Sequence, residues 1–314
     1  MLSRISCVQC RRVFNKSLRS TPSLQQQAVR FFGDGQRKTA LVLGSSGALG
    51  SCASRYLSKE CGMQVIGADV VELPGDFTLD WELDGFIHLP PSVGLGDHMN
   101  RLLRGVHVFL HGKPGLDLIL CASGGWQPDT PTTVDTSSEQ AMEENAAEYA
   151  ARIVSMRRMN LDPVIAAGYI AQYYMAQDGL FVAIGAAAAL SPTPGMMAYG
   201  LAKAASHHFI QTLGACTGKS IETKSIRTAG SKVRQNLPSL DTMTVVGILP
   251  STIDTAANRH AMPNANFDNW TKPLDIAKEI GKWVNEPVLR PHSGSLVNVV
   301  PNSKGPGAIF ELMR

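Results

Sequence analysis

A unit of about thirty residues near the start of the chain most restricts what it can fold into. Thr39 to Leu43 is a short apolar run closed by Gly44, the form of a strand buried in a parallel sheet. Ser45, Ser46, Gly47, Ala48, Leu49 and Gly50 lead into a segment that reads as a helix to Lys59, and Gln64 to Asp69 reads as the next strand. Glycines at 44, 47 and 50 permit a tight turn and close backbone approach, while a helix N-terminus favours the charge of a pyrophosphate. Asp69 ends the second strand nineteen residues past Gly50, where a carboxylate can bond both hydroxyls of an adenosine ribose. The same carboxylate repels a 2′-phosphate, so the expected cofactor is NADH, with NADPH less favoured.

The rest of the chain continues the alternation. From Val70 to Gly112 the pattern is broken by Pro, Gly and Asp, with one helix expected near His98–Arg104. Leu116–Ala122 is a buried strand that runs into Ser123, Gly124, Gly125 and Trp126. A long helix is expected from Ser138 to Asn160, with a capping box at Ser137–Gln140 and an apolar stripe of Met142, Ala146, Tyr149, Ile153 and Met156. An alanine-rich helix follows from Pro163 to Gln177, then a strand from Leu180 to Gly185 and a helix from Met197 to Cys216. Residues 220–241 are polar and unpatterned, a surface insertion. A strand from Thr242 to Leu249, a helix from Pro273 to Asn285 and a strand from Ser295 to Val300 complete the order. Strands alternating with helices imply an α/β, Rossmann-type doubly wound parallel sheet in a single domain, 36–314.

Charge separates the first residues from the rest. Residues 1–33 hold Arg4, Arg11, Arg12, Lys16, Arg19 and Arg30 and no acid. Without those six, 23 basic residues face 26 acidic ones, a net −3, so nucleic acid is not an expected partner. Residues 1–35 read as a transit peptide for the mitochondrion, ahead of a plastid leader; the alternative is a basic tail on a cytoplasmic protein. No apolar run approaches the roughly 20 residues of a membrane span, so no membrane partner is expected. Cys7 and Cys10 have no second pair, the other four cysteines are scattered like small buried residues, and no metal is expected. His207 and His208 diverge by about 100° on a helix and read as solvated surface.

Tyr199 and Lys203 stand four residues apart, on one face of the helix that begins at Met197. A neighbouring ammonium is expected to lower the phenol's pKa and make it a proton donor beside a nicotinamide. The glycine turn, the strand-end Ala122-Ser123-Gly124-Gly125 and Tyr199-x-x-x-Lys203 together resemble the short-chain dehydrogenase/reductase superfamily over nearly all of residues 38–301. Five stretches resemble the dihydropteridine reductase family within it: Ala122–Trp126, Gly185–Lys203, Leu249–Thr255 with Asn258 and Arg259, Ala261–Trp270, and Arg290–Leu296.

The resemblance implies NADH-dependent reduction of a quinonoid dihydropterin, a small-molecule pterin substrate and a homodimer packed through the helices at 163–177 and 197–216. It implies Tyr199 as proton donor, Lys203 on the nicotinamide ribose, and Ala122, Ser123 and Gly124 along the cofactor. Thr252 and Thr255 would meet the nicotinamide amide, with plain capping as the alternative; Trp126 would flank the pterin, with a core tryptophan as the alternative. Asn160 matches the superfamily's helix asparagine. Most superfamily members carry a serine thirteen residues before the tyrosine, and here that position is Ala186. Losing such a donor costs a ketone reductase about 2.7–4 kcal/mol of transition-state stabilisation. A quinonoid ring, electron-poor and regaining aromatic character, needs it less. Another quinonoid or carbonyl substrate, and a non-catalytic NAD-binding scaffold, are the competing functions.

Overall fold

The computed structural model describes residues 37–72, 83–128, 137–217, 242–302 and 305–313. The leader at 1–35 and the insertion at 220–241 lie outside them. The elements in chain order are β1 (Thr39–Leu43), α1 (Ala48–Lys59), β2 (Gln64–Asp69), β3 (Gly85–His88), α2 (Leu95–Phe109), β4 (Leu116–Cys121), α3 (Glu139–Asn160), α4 (Asp162–Tyr174), β5 (Met175–Ile184), α5 (Met197–Ala215), β6 (Thr244–Pro250), α6 (Ala256–Ala261), α7 (Pro273–Asn285), β7 (Ser295–Pro301) and β8 (Ala308–Leu312). The sheet order is β3-β2-β1-β4-β5-β6-β7-β8. Every pairing is parallel except β7 with β8.

Every residue of β1 and β2 is buried, as in a sheet covered on both faces. Alternate residues of the central strands (Ala40, Val42, Leu118, Leu120, Val182, Val246) pack with Leu49, Ala53 and Leu57 of α1 and Ile276, Ile280 and Trp283 of α7. The residues between them, such as Leu41, Ile119, Phe181 and Val245, are equally buried and face the layer that contains α4 and α5. Strand order reverses between β1 and β4, the switch point where open α/β sheets bind ligands beyond their strand ends.

Several expectations are corrected. The weak stretch at 70–112 contains β3 and α2, and α2 is longer than the helix expected at His98–Arg104. The capping serine of α3 is Ser138, not Ser137: its Oγ accepts from the Ala141 N–H at 3.1 Å. Only the end of the expected stripe on α3 is internal; Met156 is fully buried, but Met142 and Tyr149 are about half exposed. α4 stops at Tyr174, and β5 begins five residues earlier than the apolar run suggested. Asp178, at φ +57°, kinks its start, where the register with β4 shifts. The antiparallel β8 and the short α6 have no counterpart among the expected elements. Of the cysteines, Cys121 is buried and Cys216 is exposed.

Candidate functional site

At the switch point the β1–α1 turn and the exit of β4 approach each other closely. Gly44 sits at φ +79°, and a Cβ there would lie 2.6 Å from the Ser123 nitrogen. A Cβ at Gly50 would run into the Gly44 carbonyl oxygen, so the turn can close only on glycine. Gly47 precedes α1, whose first turn holds no acidic residue, leaving its N–H groups to an anion. Gly47, Ala48 and Leu49 line this entrance, with only Leu49 turned into the core. The buried hydroxyls of Ser45 and Ser46 have no hydrogen-bond partner. Unpaired hydroxyls, open glycine backbone and a helix N-terminus fit the pyrophosphate of a dinucleotide.

Asp69, at the end of β2, faces the same turn. Its Oδ2 accepts from the Ser46 N–H at 2.8 Å, and its Oδ1 accepts from the Val71 N–H at 3.1 Å. Both contacts fix the carboxylate, and each oxygen keeps a second lone pair for a ribose hydroxyl. Gly50→Ala should cost about 1–3 kcal/mol, the range for overpacking. At roughly 2–4 °C per kcal/mol, the unfolding midpoint should fall by several degrees and dinucleotide affinity should fall with it. An unchanged midpoint and dissociation constant would show that the turn is not built as described.

The second half of the site hangs from α3 and α5. Asn160, the last residue of α3, is fully buried. Its Nδ2 donates to the carbonyls of Gly125 (2.9 Å) and Met156 (3.1 Å), and its Oδ1 accepts from the Gly125 N–H at 3.2 Å. The side chain thereby ties the β4 exit to the break between α3 and α4. The Ser206 hydroxyl of α5 lies 2.9 Å from the Asn160 carbonyl and 2.9 Å from that of Ala202, donating to one at a time. Lys203 is buried and donates to the Ile184 carbonyl at 2.8 Å. A Cβ at Gly124 would lie 3.2 Å from the Lys203 Nζ, so Lys203 reaches the β4 exit as well. Tyr199 is half-buried one turn before it, packed with Met156, Ala198 and Ala202.

The electrostatics differ from expectation. Burial pushes the Tyr199 phenol up to about 12 rather than down. The ammonium meant to lower it is directed at the Ile184 carbonyl and lies beside buried Cys121. Burial in turn lowers Lys203 to about 8 and raises Cys121 to about 11. His207 is also corrected. It is buried, not solvated, because it lies four residues after Lys203 and so shares that residue's inward face, while adjacent His208 is exposed. The Ala186 N–H donates to its Nε2 at 3.1 Å. Ala186 itself is buried, and neither its methyl nor its N–H is left to polarise a substrate.

Trp126 is 47% exposed at the β4 exit, which excludes a core tryptophan. Thr255 is a helix cap: its Oγ1 accepts from the Asn258 N–H at 3.1 Å at the start of α6. Thr252 is held through its carbonyl, which accepts from the Thr271 N–H at 2.8 Å. Arg259 grips Asp254 through two hydrogen bonds of 2.6 and 2.8 Å and lies over the Phe267 ring, bracing this loop. The sequence reading leaves out Ser206 and the inward position of His207. Their spacings from Tyr199, seven and eight residues, were the available signal for that face. Among the described residues, no group of three acidic, histidine or cysteine side chains could hold a metal, and no helix is long and apolar enough to cross a membrane.

Comparison with known proteins places the fold and the sequence among relatives. The chain is 32% identical over 268 residues to a dihydropteridine reductase from Dictyostelium discoideum, spanning 85% of this chain and 96% of that one. A solved short-chain dehydrogenase from Salmonella enterica serovar Typhi aligns with a TM-score of 0.60 at 15% identity, covering 85% of this chain and 99% of the other. A short-chain dehydrogenase from Shigella flexneri, solved in complex with NADP, aligns with a TM-score of 0.57 at 16% identity, covering 83% and 96%. These two structures speak for the fold alone. No family model matches.

Proposed function

We propose, because the chain belongs to the dihydropteridine reductase family within the short-chain dehydrogenases/reductases, that it reduces quinonoid dihydropterin to tetrahydropterin with NADH and so regenerates the pterin cofactor. Membership makes the chain an oxidoreductase that uses a nicotinamide cofactor; the pterin and the preference for NADH are the further steps. The observation that carries the pterin is Ala186, which offers no hydroxyl and whose N–H is already spent on His207. A ketone would meet one donor short at that position. A quinonoid ring, which regains aromatic character as it accepts hydride, does not depend on that donor.

NADH supplies the hydride when bound. Gly44, Ser45, Ser46, Gly47, Ala48, Leu49 and Gly50 hold the diphosphate, Asp69 the adenosine ribose, and Ala122, Ser123 and Gly124 the stretch towards the nicotinamide. Lys203 holds the nicotinamide ribose, with Thr252 and the Thr255 backbone near the amide. Tyr199 delivers a proton from its hydroxyl as the substrate is reduced. With its pKa pushed up to about 12 by burial the phenol carries its proton throughout the neutral range, and a closer approach of the Lys203 ammonium to the hydroxyl would bring its acidity towards the working range. Trp126 presents an exposed aromatic face on which a flat bicyclic ring can stack.

Asp69 favours NADH because a 2′-phosphate would bring like charge against a carboxylate already fixed by two N–H groups. Asp69→Ala should narrow the NADH-to-NADPH ratio of kcat/KM by at least about tenfold, the equivalent of 1.4 kcal/mol. Equal use of both cofactors by the unaltered protein would refute the role given to Asp69. The substrate is tested by quantifying tetrahydropterin against NADH oxidised, with one-to-one stoichiometry expected. We also propose a homodimer through α4 and α5, whose Tyr173 and Leu201 are more than half exposed, and mitochondrial import directed by residues 1–35.

A further inference from the structure

We propose that His207 is a positioning residue, whose unprotonated Nε2 holds the Ala186 peptide at the exit of β5 and thereby steadies the Ile184 carbonyl on which Lys203 is anchored. The inference rests on the site described above but not on the identity of the substrate. Ile184, Gly185 and Ala186 are consecutive, the outer two held by side chains of α5 and the middle one by the backbone of β6. The Ile184 carbonyl takes the Lys203 ammonium at 2.8 Å, the Gly185 N–H donates to the Ile248 carbonyl of β6 at 2.8 Å, and the Ala186 N–H donates to His207 at 3.1 Å. Lys203 and His207 lie one turn apart on α5, so one helix face supplies both side-chain contacts. Removing the histidine acceptor leaves a buried N–H without a partner and frees the peptide that follows the lysine's anchor.

The chain leaves space for the His207 ring at this point. A Cβ on Gly185 would lie 2.5 Å from Nε2 and 2.8 Å from the adjacent ring carbon, so Gly185 leaves room for the ring edge. The hydrogen bond assigns the tautomer: Nε2 accepts, so the ring proton sits on Nδ1. The charged neighbour that acts on the ring is Lys203. Burial, followed by that ammonium, lowers the imidazole to about 4, so it is neutral and accepting, and Lys203 charged, between about 4 and about 8.

The test compares His207→Leu, which cannot accept a hydrogen bond, with His207→Gln, whose Oε1 can. Leucine is expected to lower kcat about tenfold or more, within the up to 10²-fold that a misplaced reacting group can cost, with the substrate KM changed less than about twofold. Glutamine should restore kcat to within about threefold of the unaltered protein. Equal losses in the two variants, or no loss in leucine, would overturn the proposal. Nitrogen-15 ring shifts of the unaltered protein supply a second measurement if the leucine variant does not fold. The His207 signal, identified by its absence in the glutamine variant, should report the Nδ1–H form from pH 6 to 8; an Nε2–H or charged ring there would overturn it. Failure of the protein to reduce dihydropterin would refute the proposed substrate and leave this tautomer measurement to decide on His207.

Discussion

Replacing Tyr199 with phenylalanine is expected to lower kcat for quinonoid dihydropterin by about 10²–10⁴-fold, the range for a positioned general acid, with NADH binding changed less than about twofold. The separation follows from the position of the hydroxyl. The ring packs against Met156, Ala198 and Ala202, contacts that phenylalanine keeps, so the fold and the neighbouring Lys203 are undisturbed. Only the proton source is lost, and Ala186 provides no substitute donor. Single-turnover rates at saturating NADH measure this directly. A variant with unchanged kcat would revive the scaffold alternative, in which the chain binds a dinucleotide without performing chemistry.

Lys203→Met should separate stability from activity. Lys203 is buried with its pKa lowered from 10.5 to about 8, so folding at neutral pH carries the cost of keeping an ammonium out of water. That shift corresponds to roughly 3 kcal/mol in favour of the neutral form. Methionine fills similar space without charge. The unfolding midpoint at pH 7 should therefore rise or hold, while kcat/KM falls by about 10²-fold or more because both the proposed ribose contact and the local charge are gone. The pH dependence has a definite sign. The folded pKa lies below the unfolded one, so the penalty in the unaltered protein is complete below pH 8 and fades as pH rises towards 10.5. The stability advantage of the methionine variant should shrink over that window; a constant advantage, or a large loss of stability at pH 7, would contradict the burial of a charged Lys203.

The sequence was most informative where one local requirement implied one structure. Gly44 needs a positive φ and Gly50 a vacant Cβ position, so the β1–α1 turn and its strands were legible from composition and order. Pro273 at the start of α7, and its amphipathic run to Asn285, set both ends of that helix correctly. What was not legible depended on tertiary contacts. The apolar run points to a strand from Leu180, after an alanine-rich helix expected to reach Gln177, yet the strand begins at Met175 and is kinked at Asp178. β3 is only four residues long, with one buried side chain, too little to stand out in a Pro- and Gly-broken stretch.

The site shows the same division. The spacing of Tyr199 and Lys203 put both on one helix face, but their mutual electrostatics depended on where the ammonium points. It points at Ile184, which periodicity does not reveal. Asn160 matches a helix asparagine, while its two side-chain hydrogen bonds to Gly125 require the β4 exit to come close. His207 and His208 read alike as solvated surface from their adjacency, although only the residue four after Lys203 faces inward. Thr255, offered as a cofactor contact with capping as the alternative, proved to be the cap of α6.

The substrate is tested most directly by one comparison, the kcat/KM for NADH oxidation with chemically generated quinonoid dihydropterin against that with a panel of simple ketones. A chain whose Ala186 supplies no carbonyl donor should favour the dihydropterin by at least the roughly 10²–10³-fold that such a donor is worth. Efficient turnover of ketones with none of the dihydropterin would contradict the proposed function.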